Sequence, residues 1–322
     1  MNLRHNQHLR IELTDSISPP TAEHNLLIAF RFGEKPAAQD HPAVVDTHLD
    51  TVDHDCLYEC WWIAEPVTYR GTGISRISEC DAYAVVVQDN DESEGENLEK
   101  LTYNAYIDLL GAVRSTGHKQ IAKIWNYLGG INEGDGDLER YRRFSVGRAA
   151  AFTDMAVADT SAPAATGVGT RRDFGLTIIA LASKHSLQLS ENPRQLSAFR
   201  YPRQYGPSSP KFARGGIVAN DRHHLNILSG TAAIVGHESV HPYDVDSQVD
   251  ETFRNLSALN ETVNVIDRNS VLRVYLRNPD DHSVVAQKLA NQFGLGSDRV
   301  AYLRGNICRR ELVVEIDGVR IQ

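Results

Sequence analysis

Ile121-Ala-Lys-Ile-Trp-Asn-Tyr-Leu128 lies over Val271-Leu-Arg-Val-Tyr-Leu-Arg-Asn278, and the surrounding segments fall into register at the same offset. The helix-spaced Tyr103, Tyr106, Leu109 and Val113 match Phe253, Leu256, Leu259 and Val263. A β-rich run precedes each helix, Ala82–Val87 in one copy and Leu225–Val235 in the other. A second helical stretch and a last strand follow, Phe174–Ala182 and Glu311–Ile316. The unit reads strand, helix, strand, helix, strand, with switches between period 2 and period 3.6. That pattern predicts an α/β (α+β) layer in which helices pack on one face of a mixed sheet, present twice. Only the second copy ends in Arg304-Gly-Asn-Ile-Cys-Arg-Arg-Glu-Leu-Val-Val-Glu315. A duplicated scaffold with one charged end predicts an enzyme with a single working site.

Composition narrows the partners. Lys and Arg number 33 against 42 Asp and Glu, a formal charge of -9 with no basic tract, which argues against a nucleic-acid role. No segment has the run of apolar residues a bilayer span requires, and the N-terminus, Met1-Asn-Leu-Arg-His-Asn-Gln-His8, lacks a signal-peptide core. A cytoplasmic protein is expected. Four cysteines, Cys56, Cys60, Cys80 and Cys308, are too few and too scattered for a disulfide framework, so free thiols are expected.

The expected organisation has four parts. Residues 1–80 carry strand-like Leu26–Phe32 and Cys60–Ala64 around a Pro- and Asp-rich loop from Pro36 to Asp55, and read either as an N-terminal extension or as a partial third unit. Residues 81–190 form the first unit, 191–220 an insert and 221–322 the second unit. Acidic, Gly-rich residues 88–97 and 129–137 are predicted surface loops. Within the insert, Arg200–Arg214 carries three prolines, three arginines and two tyrosines. It is too rigid and too aromatic for a linker, so it is predicted to be a binding loop.

Some motifs are decoys. His237-Glu-Ser-Val-His241 fits the zinc-hydrolase pattern, which needs a helix to align both imidazoles. Here it follows a strand and Gly236 and precedes Pro242, so no metal is expected. Cys56 and Cys60 lack a second ligand pair, and Gly167-Val-Gly169 does not open a Rossmann helix.

The arginines and one acid are more informative. On the helix predicted from about Asp137, Tyr141 and Arg148 are two turns apart and share a face with Phe144 and Ser145, whereas Arg140, Arg142 and Arg143 are expected to point elsewhere. With Arg203, Arg214 and Arg304 on separate segments, they predict a convergent anion site suited to a small di- or polycarboxylate, because guanidinium forks bind carboxylates bidentately. Glu315 lies in the apolar strand Leu312–Ile316, on one face with Val313, and the matching first-copy strand Leu176–Leu181 has no acid. Desolvation would raise its pKa and make it a proton donor, while nearby arginines would lower it. The distances between them decide the balance.

Several long motifs resemble those of the chorismatases: Ile124–Leu128 with Asn132–Asp137, Glu139–Phe144, Glu191–Gln195, Arg200–Pro207, Ser229–His237 and Arg304–Glu315. The resemblance runs from about residue 80 to the C-terminus. It implies two units of the YjgF/Rid-like (chorismate-mutase-like) fold, with sites between neighbouring units, and an enzyme that releases pyruvate from chorismate without metal or organic cofactor. By motif, Glu315 would protonate the enolpyruvyl methylene to give an oxocarbenium ion. Tyr141, Arg148, Tyr201 and Arg214 would hold the two carboxylates and orient the ring. Arg304 matches the carboxylate-binding arginine of Rid proteins, and Gly230 and Thr231 sit where those proteins bring backbone close to ligand.

Chorismatases differ in product. Some form a dihydroxycyclohexadiene carboxylate with water, and others form 3-hydroxybenzoate, sometimes with 4-hydroxybenzoate. Cys308 stands at a position associated with the hydroxybenzoate-forming types, and Ala232 and Ala233 are further positions expected to shape that choice. The alternatives are chorismate hydrolysis, a Rid-like enamine or imine deaminase using Arg304 and Glu315, or a non-catalytic metabolite-binding module. Either a monomer or a trimer is compatible with the repeat, since Rid proteins are trimers and a duplicated chain can bury the same interfaces internally.

Overall fold

A computed structural model describes residues 8–19, 24–34, 41–93, 95 and 97–322. Residues 1–7 of the N-terminus, residues 36–40 of the Pro- and Asp-rich loop, and Glu94 and Glu96 of the acidic loop lie outside the described residues.

The repeat is visible strand for strand. The first seven-stranded sheet has the order β19(Asn306–Ile307), β10(Ala164–Thr170), β9(Gln120–Gly129), β11(Leu176–Ser183), β8(Tyr83–Asn90), β7(Ser75–Glu79) and β6(Thr68–Thr72). The second runs β4(Asp50–Thr51), β18(Val300–Arg304), β17(Val271–Leu276), β20(Val314–Ile321), β14(His224–Thr231), β13(Gly215–Ala219) and β12(Ser186–Ser190). In both, one parallel pair sits among antiparallel neighbours, β9 with β10 and β17 with β18. A two-residue strand from elsewhere in the chain caps the edge beside that pair, β19 on β10 and β4 on β18.

Helices α1(Leu98–Ser115) and α2(Arg140–Asp154) bury Tyr106, Leu109, Val113, Phe144 and Phe152 with Val86, Ile124 and Ile178 of the first sheet. Helices α3(Val245–Val263) and α4(His282–Phe293) bury Leu256, Leu259, Val285 and Leu289 with Leu228, Val274 and Ile316 of the second. Local chemistry sets the helix ends: Asn97 accepts from the Glu99 and Lys100 amides, Asp244 accepts from Ser247, and Asn264 and Gly294 close α3 and α4 in the left-handed conformation. The α1–α2 contact depends on Gly147, where a Cβ would lie 2.3 Å from the Glu99 carbonyl oxygen.

The N-terminal segment forms a four-stranded sheet of order β1(Leu9–Thr14), β5(Cys56–Ile63), β2(Asn25–Gly33), β3(Val44–Asp46). That order matches β8, β11, β9, β10 and includes the parallel pair β2 and β3. The sheet thus has the strand order of one further unit, and among the described residues no helix accompanies it. The remaining small hairpin is β15(Ile234–Val235) with β16(Glu238–Ser239). The inner faces of all three large sheets share one core, with Phe30, Phe32, Leu57 and Trp61 meeting Val85, Trp125, Tyr127 and Ile179, and Ile227, Tyr275 and Val319.

The sheets divide the chain differently from the sequence boundaries. β6 and β7 lie before residue 81 but complete the first sheet, whereas β12 and β13 lie before residue 221 and belong to the second. Each is an outer strand held by the antiparallel neighbour that follows it, which no local pattern in the sequence assigns. The last strand also starts later than predicted: β20 begins at Val314, because Leu312 and Val313 are engaged by the Arg277 and Gln248 side chains.

Candidate active site

The face of β20 turned to the first unit carries Glu315 and then Asp317, two residues on. Opposite them β14 bulges: Leu228 pairs with Gly318 and Thr231 with Ile316, so β14 spends one residue more than β20. Side chains clip the bulge in place. The Leu228 carbonyl accepts from Lys123 Nζ at 2.6 Å, Ser229 Oγ donates to the Ala213 carbonyl at 2.6 Å and accepts from the Ala165 amide at 3.0 Å, and Thr231 Oγ1 donates to the Ser229 carbonyl at 3.0 Å. The bulge brings Gly230 onto Glu315, where an added Cβ would fall 2.0 Å from Oε1. Only a residue without a side chain leaves that carboxyl room.

A cavity of 420 Å³ opens over this carboxyl, within the size of small-molecule sites. Tyr141 of α2, Tyr201, Tyr205, Phe212 and Arg214 of the insert, Ala232 and Ile234 after the bulge, and Cys308 and Arg309 after β19 line it. The cavity therefore lies between the two units. Arg214 Nη2 donates to the Leu196 carbonyl at 2.9 Å and to the Tyr201 hydroxyl at 2.8 Å, and its buried Nε has no protein partner. Arg309 sits 3.9 Å over the Tyr205 ring and donates to the His237 carbonyl and Ser239 Oγ. Among the described residues, neither guanidinium forms an ion pair with a carboxylate.

Glu315 is 5% exposed, and burial followed by the Asp317 charge pushes its pKa from 4.5 to about 8. Lys123 and Arg214 pull the other way without prevailing. Desolvation thus wins the contest left open by the sequence, and at neutral pH the carboxyl keeps its proton. Burial and then the neighbouring Glu315 also push the Cys308 thiol up to about 12, and burial raises the Tyr141 phenol, so both stay neutral.

The structure brings Glu315, Tyr141, Tyr201, Arg214, Gly230 and Cys308 to the cavity, together with Ala232, and leaves other expected residues elsewhere. Arg148 is buried beneath this wall, 4.9 Å over the Phe144 ring, with Nε and Nη2 unpartnered. Thr231 is buried and spends its hydroxyl on the bulge. Ala233 is fully buried in the shared core. Arg203 is exposed and paired with Asp137 at 2.6 Å, so it holds the insert to the loop before α2. Arg304 is exposed at the end of β18, opposite Asp50 of β4. Its register partner Leu276 corresponds in the repeat to Asn126, whose partner is Gly167, with the Tyr141 ring packed over it. Arg304 thus lies beside β4, and at the equivalent place in the first unit the chain has Gly167 with Tyr141 over it.

Arg142 does not point away as expected: it lines the cavity, whereas Arg140 is buried against Glu92 and Arg143 pairs with Glu99. Sequence reasoning also passed over Arg309, although it adjoins Cys308, and Lys123 and Asp317. The alternation of Glu315 and Asp317 along one strand was the signal for the last. His237–His241 forms the β15–β16 hairpin and its exit rather than a helix.

Fold and site together define an enzyme built from repeated α/β units, with the buried Glu315 carboxyl facing a cavity between two units that is also lined by Arg142, Arg214, Arg309 and Arg310. Residues 59–182 match the family model described as chorismatase FkbO/Hyg5-like, N-terminal. A chorismatase from Streptomyces hygroscopicus is 32% identical over 284 residues, covering 84% of this chain and 81% of that protein. A 3-hydroxybenzoate synthase of the same organism is 32% identical, with 68% of each chain covered. A chorismatase crystal structure superimposes with a TM-score of 0.83 at 29% identity, covering 97% of both chains. The chain belongs to the chorismatase family.

Proposed function

We propose that this protein converts chorismate to 3-hydroxybenzoate and pyruvate. The observation that carries the reading is a neutral, buried Glu315 facing a cavity that also holds guanidinium groups without protein counter-ions. In a chain of net charge -9, such groups are costly unless an anion completes them. Relatives named chorismatase and 3-hydroxybenzoate synthase support the substrate and the product.

In this mechanism Arg214, with Tyr201 and Arg309, holds a substrate carboxylate, and Arg148 beneath Tyr141 supplies a second cation near the ring. Glu315 gives its proton to the enolpyruvyl methylene in the room left by Gly230, and the developing oxocarbenium ion faces the carboxylate just formed. The two products together contain the atoms of chorismate, so no net water is consumed. The proton lent by Glu315 returns when the ring aromatises. Cys308 and Ala232 border the ring and favour internal rearrangement over capture by water. Arg203 and Arg304 take no direct part. The three sheets already close a common core within one chain, which supports a monomer. Among the described residues no helix is long and apolar enough to cross a membrane, and a cytoplasmic location completes the reading.

Incubating the purified protein with chorismate and assaying pyruvate and aromatic acids tests this. Pyruvate with 3-hydroxybenzoate is expected. Pyruvate with a dihydroxycyclohexadiene carboxylate would make the protein a hydrolase, and no pyruvate would end the proposal.

A further inference from the structure

Beneath Glu315 lies a buried ion pair that crosses the interface between the units. Lys123 Nζ of β9 is 3.3 Å from Asp317 Oδ2 of β20, and both side chains are 1% exposed. Lys123 also donates to Thr166 Oγ1 at 2.7 Å and to the Leu228 carbonyl at 2.6 Å. Asp317 accepts from Trp125 Nε1 at 3.1 Å, Tyr275 OH at 3.3 Å and Thr166 Oγ1 as well. Glu315, on the same strand face, receives no protein hydrogen bond among the described residues. Two buried carboxyls thus lie side by side with opposite surroundings, one crowded with donors and a cation, the other bare. Such opposite surroundings favour negative charge on the first and a retained proton on the second.

The repeat shows that this arrangement is specific to the one interface. Register places Arg273 at the position of Lys123, and Arg273 forms the corresponding buried pair with Glu59 of β5, Nε to Oε2 at 2.7 Å. At that second interface the residue two before Glu59 is Leu57, and in the first unit the place of Glu315 is held by Ile179. A cation–carboxylate pair thus recurs at two interfaces, while a carboxyl to be kept protonated occurs at one.

We propose that Lys123 and Asp317 are positioning residues that assign the catalytic proton to Glu315: Lys123 and the donors around it fix the negative charge on Asp317, and that charge keeps Glu315 in its acid form. The proposal rests on the reading of Glu315 as the acid. Other groups facing Glu315 are Arg214 from the insert, Tyr141 from α2, and Cys308 with Arg309 after β19. Burial keeps the phenol and the thiol neutral across the useful pH range, whereas burial, only partly offset by Asp317, lowers the Lys123 ammonium to about 8, so Lys123 and Glu315 titrate in one window and the Lys123→Met arm removes one of the two.

The test is the pH profile of kcat/KM for pyruvate release by the full chain and two variants, with thermal unfolding to establish that each is folded. Asp317→Asn removes the anion and leaves Lys123 uncompensated, so the alkaline limb moves down by about one pH unit or more, and activity at pH 8 falls about fivefold or more. Lys123→Met leaves the Asp317 charge unopposed, so the limb moves to higher pH. Opposite shifts are not what general loosening of the core would give. A folded Asp317→Asn enzyme with an unmoved limb overturns the proposal. If that variant does not fold, an unmoved or lowered limb in Lys123→Met does so instead. Failure of the wild-type chain to release pyruvate would condemn the functional reading, whereas an active wild type and an inactive Glu315→Gln, with both limbs unmoved, would condemn only the role of the pair.

Discussion

Replacing Glu315 by Gln should stabilise the protein while stopping the reaction. In the folded state the carboxyl ionises at about 8 rather than 4.5, because burial and Asp317 disfavour its charge. The unfolded chain ionises the same group from pH 4.5 upward and gains free energy that the folded protein does not, so stability falls through this window. A shift of that size, at about 1.4 kcal/mol per unit, amounts to about 5 kcal/mol once pH passes 8, and to roughly 3 kcal/mol at pH 7. A glutamine of similar shape escapes the cost. For a chain of 322 residues, unfolding entropy of about 2 cal/mol/K per residue converts 3 kcal/mol into a Tm difference of roughly 5 °C. Scanning calorimetry of both proteins from pH 4 to 8 checks this: the curves should meet near pH 4 and diverge, with the Glu315→Gln variant the more stable at neutral pH. Parallel curves would refute the claim that the carboxyl is held protonated. The wild-type kcat/KM should fall above about pH 8 by about tenfold per unit, since the acid form is lost there.

Three further substitutions probe the site's walls. Gly230→Ala puts a methyl against the Glu315 carboxyl, 2.0 Å from Oε1 before relaxation, and should cut kcat by about 100-fold or more in a folded protein; near-normal turnover would mean that the bulge does not set the acid's position. Arg214→Met removes a charged fork that is 3% exposed and should lower kcat/KM about 100-fold, with Arg214→Lys recovering part of the loss, as steady-state pyruvate assays would reveal. Arg304→Ala should leave kcat/KM within about twofold, because an exposed side chain on β18, across β17 from the strand of Glu315, has little to lose. A large loss there would put Arg304 back in the site.

The repeated units, their helices and the candidate acid were legible because they rest on local periodicity. Tyr106, Leu109 and Val113 recur at helical spacing, and Glu315 stands out in an apolar strand whose counterpart carries Ile179. The N-terminal sheet was only half legible, since among the described residues no helix accompanies its strands to give the periodicity that makes the other two units recognisable.

What the sequence determined by itself was therefore the scaffold, its duplication and the choice of one acid. Only the tertiary structure decided which arginines share a cavity with Glu315. Convergence is a property of sheet order: Arg304 is close to Glu315 in the chain, yet β17 separates β18 from β20 and leaves Arg304 beside β4. Arg214 reaches the carboxyl from the far side of the bulge. The proton on Glu315 was likewise a matter of packing, because it depends on Asp317 and on Lys123, which comes from the other unit and is brought within 3.3 Å of Asp317 only when the two sheets meet.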